Sequence, residues 1–197
     1  MIILASASAS RRAMLEAAGV MFETVPARID EEAVTAGLRA ERADGRTLAD
    51  RLAELKALKV SAACPGRIVL GADSVAEMED GSLLEKPGTR AGLQAQLRRM
   101  SGTRHRLISA AVAVRDGAPL WRHAGVALMD VRALSEPFIA AHAEAVDAGV
   151  LGSVGGYHVE GLGVQIFAAI RGDHFTVRGL PLLPLLAWLR AVGELPA

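Results

Sequence analysis

The fold is decided at the amino terminus, by the stretch Ile2-Ile3-Leu4-Ala5-Ser6-Ala7-Ser8-Ala9-Ser10-Arg11-Arg12. Its apolar start predicts a short buried strand, and the small residues that follow predict a loop. Met14, Leu15 and Ala18 then lie on one side of a predicted helix that ends at Gly19. A strand therefore leads through a loop of small residues into a helix.

Arg11 and Arg12 fall in the first turn of this predicted helix. Backbone N–H groups are free at that position and the helix dipole favours anions, so two arginines are unfavourable there unless an anion lies between them. Together with the serine hydroxyls, they are typical of a phosphate-binding loop. The alternative is that both arginines are solvated and that Ser10 is only the N-cap.

The composition indicates a globular protein and excludes several classes of partner. Hydrophobic residues make up 51% of the 197, which argues against disorder. The net charge is zero and aromatic residues are 4%, so we expect no nucleic-acid partner. Cys64 is the single cysteine, and the apolar run near 180–189 is too short to span a bilayer, so we expect a cytoplasmic location and no membrane partner.

The hydrophobic pattern predicts interleaved helices and strands, and hence an α/β fold with a mixed sheet in a single domain over 1–197. Residues 29–32 are expected to be irregular, and 35–46 a loop or a frayed helix. The predicted strands span 21–25, 67–72, 83–87 and 164–170, with a long hairpin formed by 105–115 and 119–132. The predicted helices begin at Thr47, with a Thr47/Asp50 capping box, at Thr89, at Ser135 and at Pro181. The helix that Ser135 caps is predicted to run through Ala148.

Asp73 stands at the predicted end of the strand over 67–72, where open α/β sheets place their chemistry. An aspartate that caps the next turn explains the residue equally well. Lys56 lies at the edge of an apolar helical stripe, from which its side chain can reach a neighbouring cleft.

Further charges can meet around one cleft if the strands are adjacent. Carboxylates combined with phosphates suit Mg²⁺, and cations opposite them would hold a polyphosphate. Each of these charges taken alone is more often a solvated surface group. The set comprises Asp30, Glu31, Glu32, Asp73 and Glu85 with Arg11, Arg12, Lys56 and Lys86.

Eight motifs occur here in the order in which the Maf family of nucleotide pyrophosphatases carries them, and the chain resembles that family over nearly its whole length. The motifs are Leu4 to Arg12, Ile29-Asp30-Glu31, Leu52-Ala53-x-x-Lys56-Ala57, Gly71-Ala72-Asp73-Ser74-Val75, Glu85-Lys86-Pro87, Ser101-Gly102-x-x-His105, Gly155-Gly156-Tyr157-His158-Val159-Glu160-Gly161 and Gly179-Leu180-Pro181.

The resemblance implies a Maf/ITPase-like mixed sheet with flanking helices and a deep cleft between two lobes, often in a homodimer. It implies hydrolysis of a nucleoside triphosphate substrate between the α and β phosphates, with a divalent metal, Mg²⁺ or Mn²⁺. Matched position by position, the proton acceptor is Asp73 and the metal-handling residues are Glu31 and Asp73. The phosphate-binding residues would be Ser8, Arg11, Arg12, Lys56 and Lys86.

Three further positions, Ser10, Ser74 and Glu160, match those that the family links with the choice of base. Relative to many members, Ser10 is an additional residue before the arginine pair. This insertion and Glu160 resemble the branch that acts on 7-methyl-GTP, although that branch tends to carry Gln at the position of Ser74. A carboxylate suits a methylated guanine, which is positively charged and offers N–H donors. The alternative is that Glu160 contacts only backbone.

The sequence therefore favours a metal-dependent nucleoside triphosphate pyrophosphatase that prefers 7-methyl-GTP. A dTTP/UTP pyrophosphatase is one alternative. A non-catalytic nucleotide-binding regulator of cell division is the other.

Overall fold

The computed structural model describes residues 1–196 and has a mixed β-sheet flanked by helices. The strands are β1 (Ile2–Leu4), β2 (Phe22–Thr24), β3 (Val69–Met78), β4 (Leu83–Leu84), β5 (Arg104–Arg115), β6 (Ala118–Val131) and β7 (Phe167–Arg171). The helices are α1 (Ala9–Ala17), α2 (Glu31–Ala40), α3 (Gly45–Ser61), α4 (Arg90–Met100), α5 (Glu136–Ala145), α6 (Ala148–Leu151), α7 (His174–Val177) and α8 (Leu182–Ala191). Turns of 3₁₀ helix lie at Val154–Gly156 and Leu162–Ile166.

The sheet has the order β2-β1-β3-β5-β6-β7, and β4 pairs with β3 outside that path. β1 is parallel to β2 and to β3, whereas β3, β5, β6 and β7 pair antiparallel in succession. The predicted α/β class, mixed sheet and long hairpin are thus confirmed. Between residues 1 and 196, no helix is both long and apolar enough to cross a bilayer.

Apolar packing separates the molecule into two parts. Helices α1 and α8 cover one face of the first strands and α3 covers the other, because successive side chains of β1 point to opposite faces. A separate cluster joins the far halves of β3, β5 and β6 to α4 and α5. The two lobes expected from the family resemblance correspond to these parts of one continuous sheet.

The acidic stretch predicted to be irregular is the start of α2, so that prediction is wrong. Asp30 is the N-cap and accepts a hydrogen bond from the backbone N–H of Ala33 at 2.9 Å, and Glu31 and Glu32 form the first turn. Carboxylates are stabilising at that end of a helix. Charge near the N-terminus of α2 therefore has a structural cause as well as a chemical one.

Other predicted boundaries also differ. α3 begins at Gly45, and Asp44 is its N-cap, accepting from the N–H of Thr47 at 2.8 Å, so the predicted capping box was wrong. The helix predicted from Ser135 through Ala148 is two helices, because Val146 has extended backbone angles.

Asp73 does not end its strand, as the sequence predicted, because β3 continues to Met78. β1 pairs with β3 only as far as Leu4 opposite Leu70. Beyond that point β3 is held from its other side by β5, with Asp73 opposite Ala110. The side of β3 that faced β1 is therefore open at Asp73.

Candidate active site

A cavity of about 1230 Å³ lies where β1 ends beside β3. Its lining comes from the loop after β1, the start of α1 and α2, together with Lys86 and residues in the range 149–160. Asp73 and Lys56 line it from β3 and α3. The cleft therefore opens beyond the carboxyl ends of parallel strands, which is where open α/β sheets bind ligands.

A chain of alternating charges runs along the cleft. The Nζ atom of Lys56 lies 2.5 Å from Oδ1 of Asp73 and 2.7 Å from Oε1 of Glu31. The Nζ atom of Lys86 lies 3.4 Å from Oε2 of Glu31. Asp73 and Lys56 are buried, whereas the side chain of Lys86 is 55% exposed. Four of the residues singled out in the sequence thus meet in one place.

The local environment shifts the pKa values of Asp73 and Glu31 in opposite directions. Burial raises the pKa of Asp73, and the charges of Lys56 and Arg11 oppose that shift only in part. Burial also works to raise the pKa of Glu31, but hydrogen bonds and charges of Lys56 and Lys86 outweigh it and hold that pKa below its usual range. Asp73 is therefore the stronger base of the two.

Arg11 is held at the floor of the cleft and is only 8% exposed. Its Nε donates to the carbonyl of Gly179 at 2.8 Å, its Nη1 to Oγ of Ser6 at 3.2 Å and its Nη2 to Oγ of Ser74 at 3.0 Å. Burial lowers the pKa of this guanidinium, although arginine stays charged in proteins. Its remaining N–H groups can meet an anion in the cleft.

The hydroxyl of Ser74 belongs to a directed chain of hydrogen bonds. Oγ of Ser109 donates to the carbonyl of Thr176 at 2.8 Å and lies 2.9 Å from Oγ of Ser74. Because the proton of Ser109 is used, Ser74 donates to Ser109 and accepts from Arg11. Ser74, predicted to act in the choice of base, is thus engaged with the side chain that the sequence assigned to phosphate.

Ser8 and Arg12 differ in where the fold places them. Ser8 is the N-cap of α1, accepting from the N–H of Arg11 at 3.3 Å, and it lines the cleft. Arg12 is exposed, and its Nε lies 3.8 Å from Oε1 of Glu16 on the outer surface of α1. The structure brings Ser8 and Arg11 to the cleft but not Arg12.

A second group of lining residues comprises Ser10, Glu160 and a residue that the sequence analysis missed, Arg178. Oγ of Ser10 donates to the carbonyl of Arg178 at 3.0 Å. Nε of Arg178 lies 3.6 Å from Oε1 of Glu160, so Glu160 contacts a side chain rather than only backbone. A single arginine before Gly179 forms no pattern, and the adjacent Gly179-Leu180-Pro181 motif is the only signal that could have drawn attention to it.

The segment that carries Glu160 is anchored to β5 by a hydrogen bond between Tyr157 and His105. The Tyr157 hydroxyl lies 2.7 Å from Nε2 of His105, and both side chains are buried. Burial lowers the pKa of His105 to about 4, so its ring is neutral at pH 7. This pair anchors the loop. His158 lines the cleft, and its Nε2 lies 2.6 Å from Oγ of Ser153.

The donor set of the cleft meets part of what a divalent cation requires. Within residues 1–196, no group of three or more His, Cys, Asp or Glu side chains is arranged to hold a metal. Glu31 and Asp73 nevertheless place two carboxylates on one ammonium in the cleft. Mg²⁺ is usually held by one or two carboxylates together with substrate phosphates and water, so this donor set fits a cation that enters with a polyphosphate.

Comparison with known proteins identifies relatives over almost the full chain. The model of the family described as Maf-like protein matches residues 1–192. A nucleoside triphosphate pyrophosphatase of Sphingopyxis alaskensis is 51% identical over 195 residues, 99% of this chain and 98% of the relative. A 7-methyl-GTP pyrophosphatase of Rhizobium etli is 48% identical over 194 residues, 98% of this chain and 97% of the relative. A solved dITP/XTP pyrophosphatase of Mycobacterium abscessus has a TM-score of 0.49 at 14% identity, covering 99% of this chain and 97% of that chain.

Proposed function

This chain belongs to the Maf family, and on that premise we propose that it is a nucleoside triphosphate pyrophosphatase that cleaves between the α and β phosphates. The observation that carries the proposal is the buried Asp73 carboxylate, placed in a cleft beside the cations Lys56 and Arg11. Curated relatives at about half identity bear the same activity in their names.

Asp73 acts as the proton acceptor. Lys56 contacts Oδ1 of Asp73, so Oδ2 is the oxygen that takes the proton of the attacking water. The water oxygen bonds to the α-phosphorus, its proton passes to Asp73, and the bond between the α-phosphorus and the bridging oxygen breaks. The electron pair of that bond leaves with pyrophosphate, and the other product is a nucleoside monophosphate.

The cations around Asp73 stabilise negative charge on the phosphates. Arg11 and Lys86 both line the cleft, and the ammonium of Lys56 lies 2.5 Å from Oδ1 of Asp73. Their charges offset the charge that develops on the pyrophosphate leaving group. Arg11 is already fixed by Gly179, Ser6 and Ser74, so little reorganisation is needed when the substrate binds.

Glu31 and Asp73 would hold a divalent cation, Mg²⁺ or Mn²⁺, together with the substrate phosphates. Such a cation supplies positive charge and orientation to the triphosphate when it is bound. The low pKa of Glu31 keeps that carboxylate ionised and available for it at neutral pH.

A purely regulatory nucleotide-binding protein is less consistent with the site. Binding a polyphosphate needs cations, whereas a buried carboxylate at the same position weakens the binding of anions. The pyrophosphatase interpretation explains the carboxylate, and a pyrophosphate-release assay on a panel of nucleoside triphosphates tests it.

For the base we propose a guanine-type purine, the group to which 7-methyl-GTP belongs, ahead of dTTP and UTP. Glu160 lines the cleft and provides an acceptor that guanine N–H donors can meet. Ser10, which also lines the cleft, is small and leaves room for a bulky ring. The Rhizobium etli relative is named for 7-methyl-GTP.

Glu160→Gln tests this choice of base. The amide carries no charge and offers donors as well as an acceptor, so the ratio of kcat/KM for 7-methyl-GTP over UTP should fall by about tenfold, in line with the cost of leaving polar groups unpaired. The measurement is kcat/KM for both substrates in both proteins. A wild-type preference for UTP or dTTP, or a ratio that the substitution leaves unchanged, contradicts the assignment of the base and leaves the pyrophosphatase proposal intact.

Three expectations stay predictions: a homodimer, a cytoplasmic location and the absence of a nucleic-acid partner. The same holds for the single-domain assignment over 1–197.

A further inference from the structure

The carboxylate of Glu160 shares the cleft with a positive partner. Nε of Arg178 lies 3.6 Å from Oε1 of Glu160, with side chains 23% and 41% exposed, and both residues line the cavity. Over residues 1–196, this Nε is a buried atom with no hydrogen-bond partner. A donor that the protein itself leaves unsatisfied thus stands beside the acceptor assigned to the base.

The backbone around Arg178 is fixed by two consecutive residues of α1. Oγ of Ser10 donates to the carbonyl of Arg178 at 3.0 Å, and Nε of Arg11 donates to the carbonyl of Gly179 at 2.8 Å. The segment formed by Arg178 and Gly179 therefore contacts both Arg11, assigned to the phosphates, and Glu160, assigned to the base.

We propose that Arg178 is a specificity-determining residue that favours guanine with a free N7 over a guanine that carries a positive charge, such as 7-methylguanine. This inference rests on the proposed function, which places the nucleotide base at Glu160. Glu160 on its own would attract the cationic ring, and the adjacent guanidinium offsets that attraction.

The chemistry of the two rings makes the expected discrimination specific. An arginine side chain donates in a bidentate manner to O6 and N7 of guanine. Methylation removes the N7 acceptor and adds a positive charge, so the same guanidinium then loses a partner and meets a like charge. The N1–H and N2–H donors that Glu160 would accept from are present in both rings, so Arg178 rather than Glu160 distinguishes them.

The competing explanation is that Arg178 contacts the phosphates, since its neighbour Gly179 accepts a hydrogen bond from Arg11. In that case its removal would weaken every triphosphate by the same factor. A ratio of affinities for two ligands with identical phosphates separates the two roles.

The experiment measures binding of guanosine α,β-methylene triphosphate and of its N7-methylated derivative by calorimetry. The methylene bridge prevents cleavage, and a slightly acidic buffer keeps the methylated ring positively charged. The proteins are the wild type, Arg178→Met and Arg178→Gln as neutral variants, and Arg178→Lys. Arg98→Met is the matched control, because Arg98 pairs with Glu136 outside the cleft.

The ratio of the affinity for the methylated ligand to that for the unmethylated ligand should rise about tenfold in the neutral variants, the scale of one good base contact. Arg178→Lys should give a smaller rise, because it keeps the charge and loses the bidentate geometry. Arg98→Met should leave the ratio unchanged.

Equal weakening of both ligands in the neutral variants would overturn the inference, as would a wild type that binds neither. If the ratio changes in the variants as expected but the wild type releases no pyrophosphate from any nucleoside triphosphate, the proposed function is contradicted and the inference is supported. Two neutral variants keep the test decisive if one of them does not fold.

Discussion

Asp73→Asn is expected to lower kcat by about a hundredfold or more, the usual contribution of general-base catalysis. The amide keeps the shape of the side chain and can still accept from Lys56, but it cannot take a proton from water. Binding of the triphosphate should persist or tighten, because a negative charge beside the phosphates is gone. The measurements are kcat from pyrophosphate release and the Kd of a non-cleavable analogue.

The pH profile of kcat/KM distinguishes a proton acceptor from a residue with a merely structural role. A carboxylate accepts a proton only above its pKa, so kcat/KM should fall as the pH drops through the pKa of Asp73. Burial raises that pKa, so the acidic limb should lie above the ordinary carboxyl range. Asp73→Asn should abolish this limb. Asp130→Asn, a matched change on β6 at a residue paired with Arg104, should retain the wild-type rate and profile. Near-normal turnover in Asp73→Asn would remove Asp73 from the mechanism.

Arg11→Ala is expected to weaken triphosphate binding by about ten- to a hundredfold, since hydrogen bonds to charged groups contribute about 1.5–3 kcal/mol each. Monophosphate binding should weaken much less, because the side chain is assigned to the phosphates that only the triphosphate carries. Calorimetry with a non-cleavable triphosphate and with the matching monophosphate measures the difference.

Arg12→Ala is the matched comparison, since it removes the neighbouring arginine of the same helical turn. Its effect on triphosphate binding should be the smaller one, because Arg12 lies with Glu16 outside the cleft. If the two variants lose affinity equally, or if Arg11→Ala weakens both ligands to the same extent, Arg11 does not bind the phosphates in this way.

The parts of the site that sequence could predict are those that leave a local pattern. Arg11 conflicts with the dipole of the helix that Ser8 caps, and Lys56 lies at the edge of an apolar stripe, so each needed an explanation within its own segment. Lys56 is indeed buried, with its ammonium reaching Asp73. By contrast, acids in a first turn satisfy the same dipole. The start of α2 was missed because Glu31 and Glu32 were interpreted only as chemistry, whereas residues 35–40 of the segment predicted as a loop or a frayed helix are helical.

The parts that sequence could not predict depend on which segments become neighbours. Ser74 and Ser109 face each other only because β3 and β5 pair in the observed register, and that register directs the hydroxyl of Ser74 to Arg11. Asp73 was placed at a strand end, whereas the opening beside it arises because β1 stops at Leu4. Arg178 reaches Glu160 through a loop contact that no periodicity records.

The measurement that tests the central claim most directly is the identity of the products formed from a purine nucleoside triphosphate with Mg²⁺, followed by ³¹P NMR in water enriched in ¹⁸O. The account predicts a nucleoside monophosphate and pyrophosphate in equal amounts, with the heavy oxygen in the monophosphate, because the water attacks the α-phosphorus. A nucleoside diphosphate with inorganic phosphate, or label in the pyrophosphate, would contradict it.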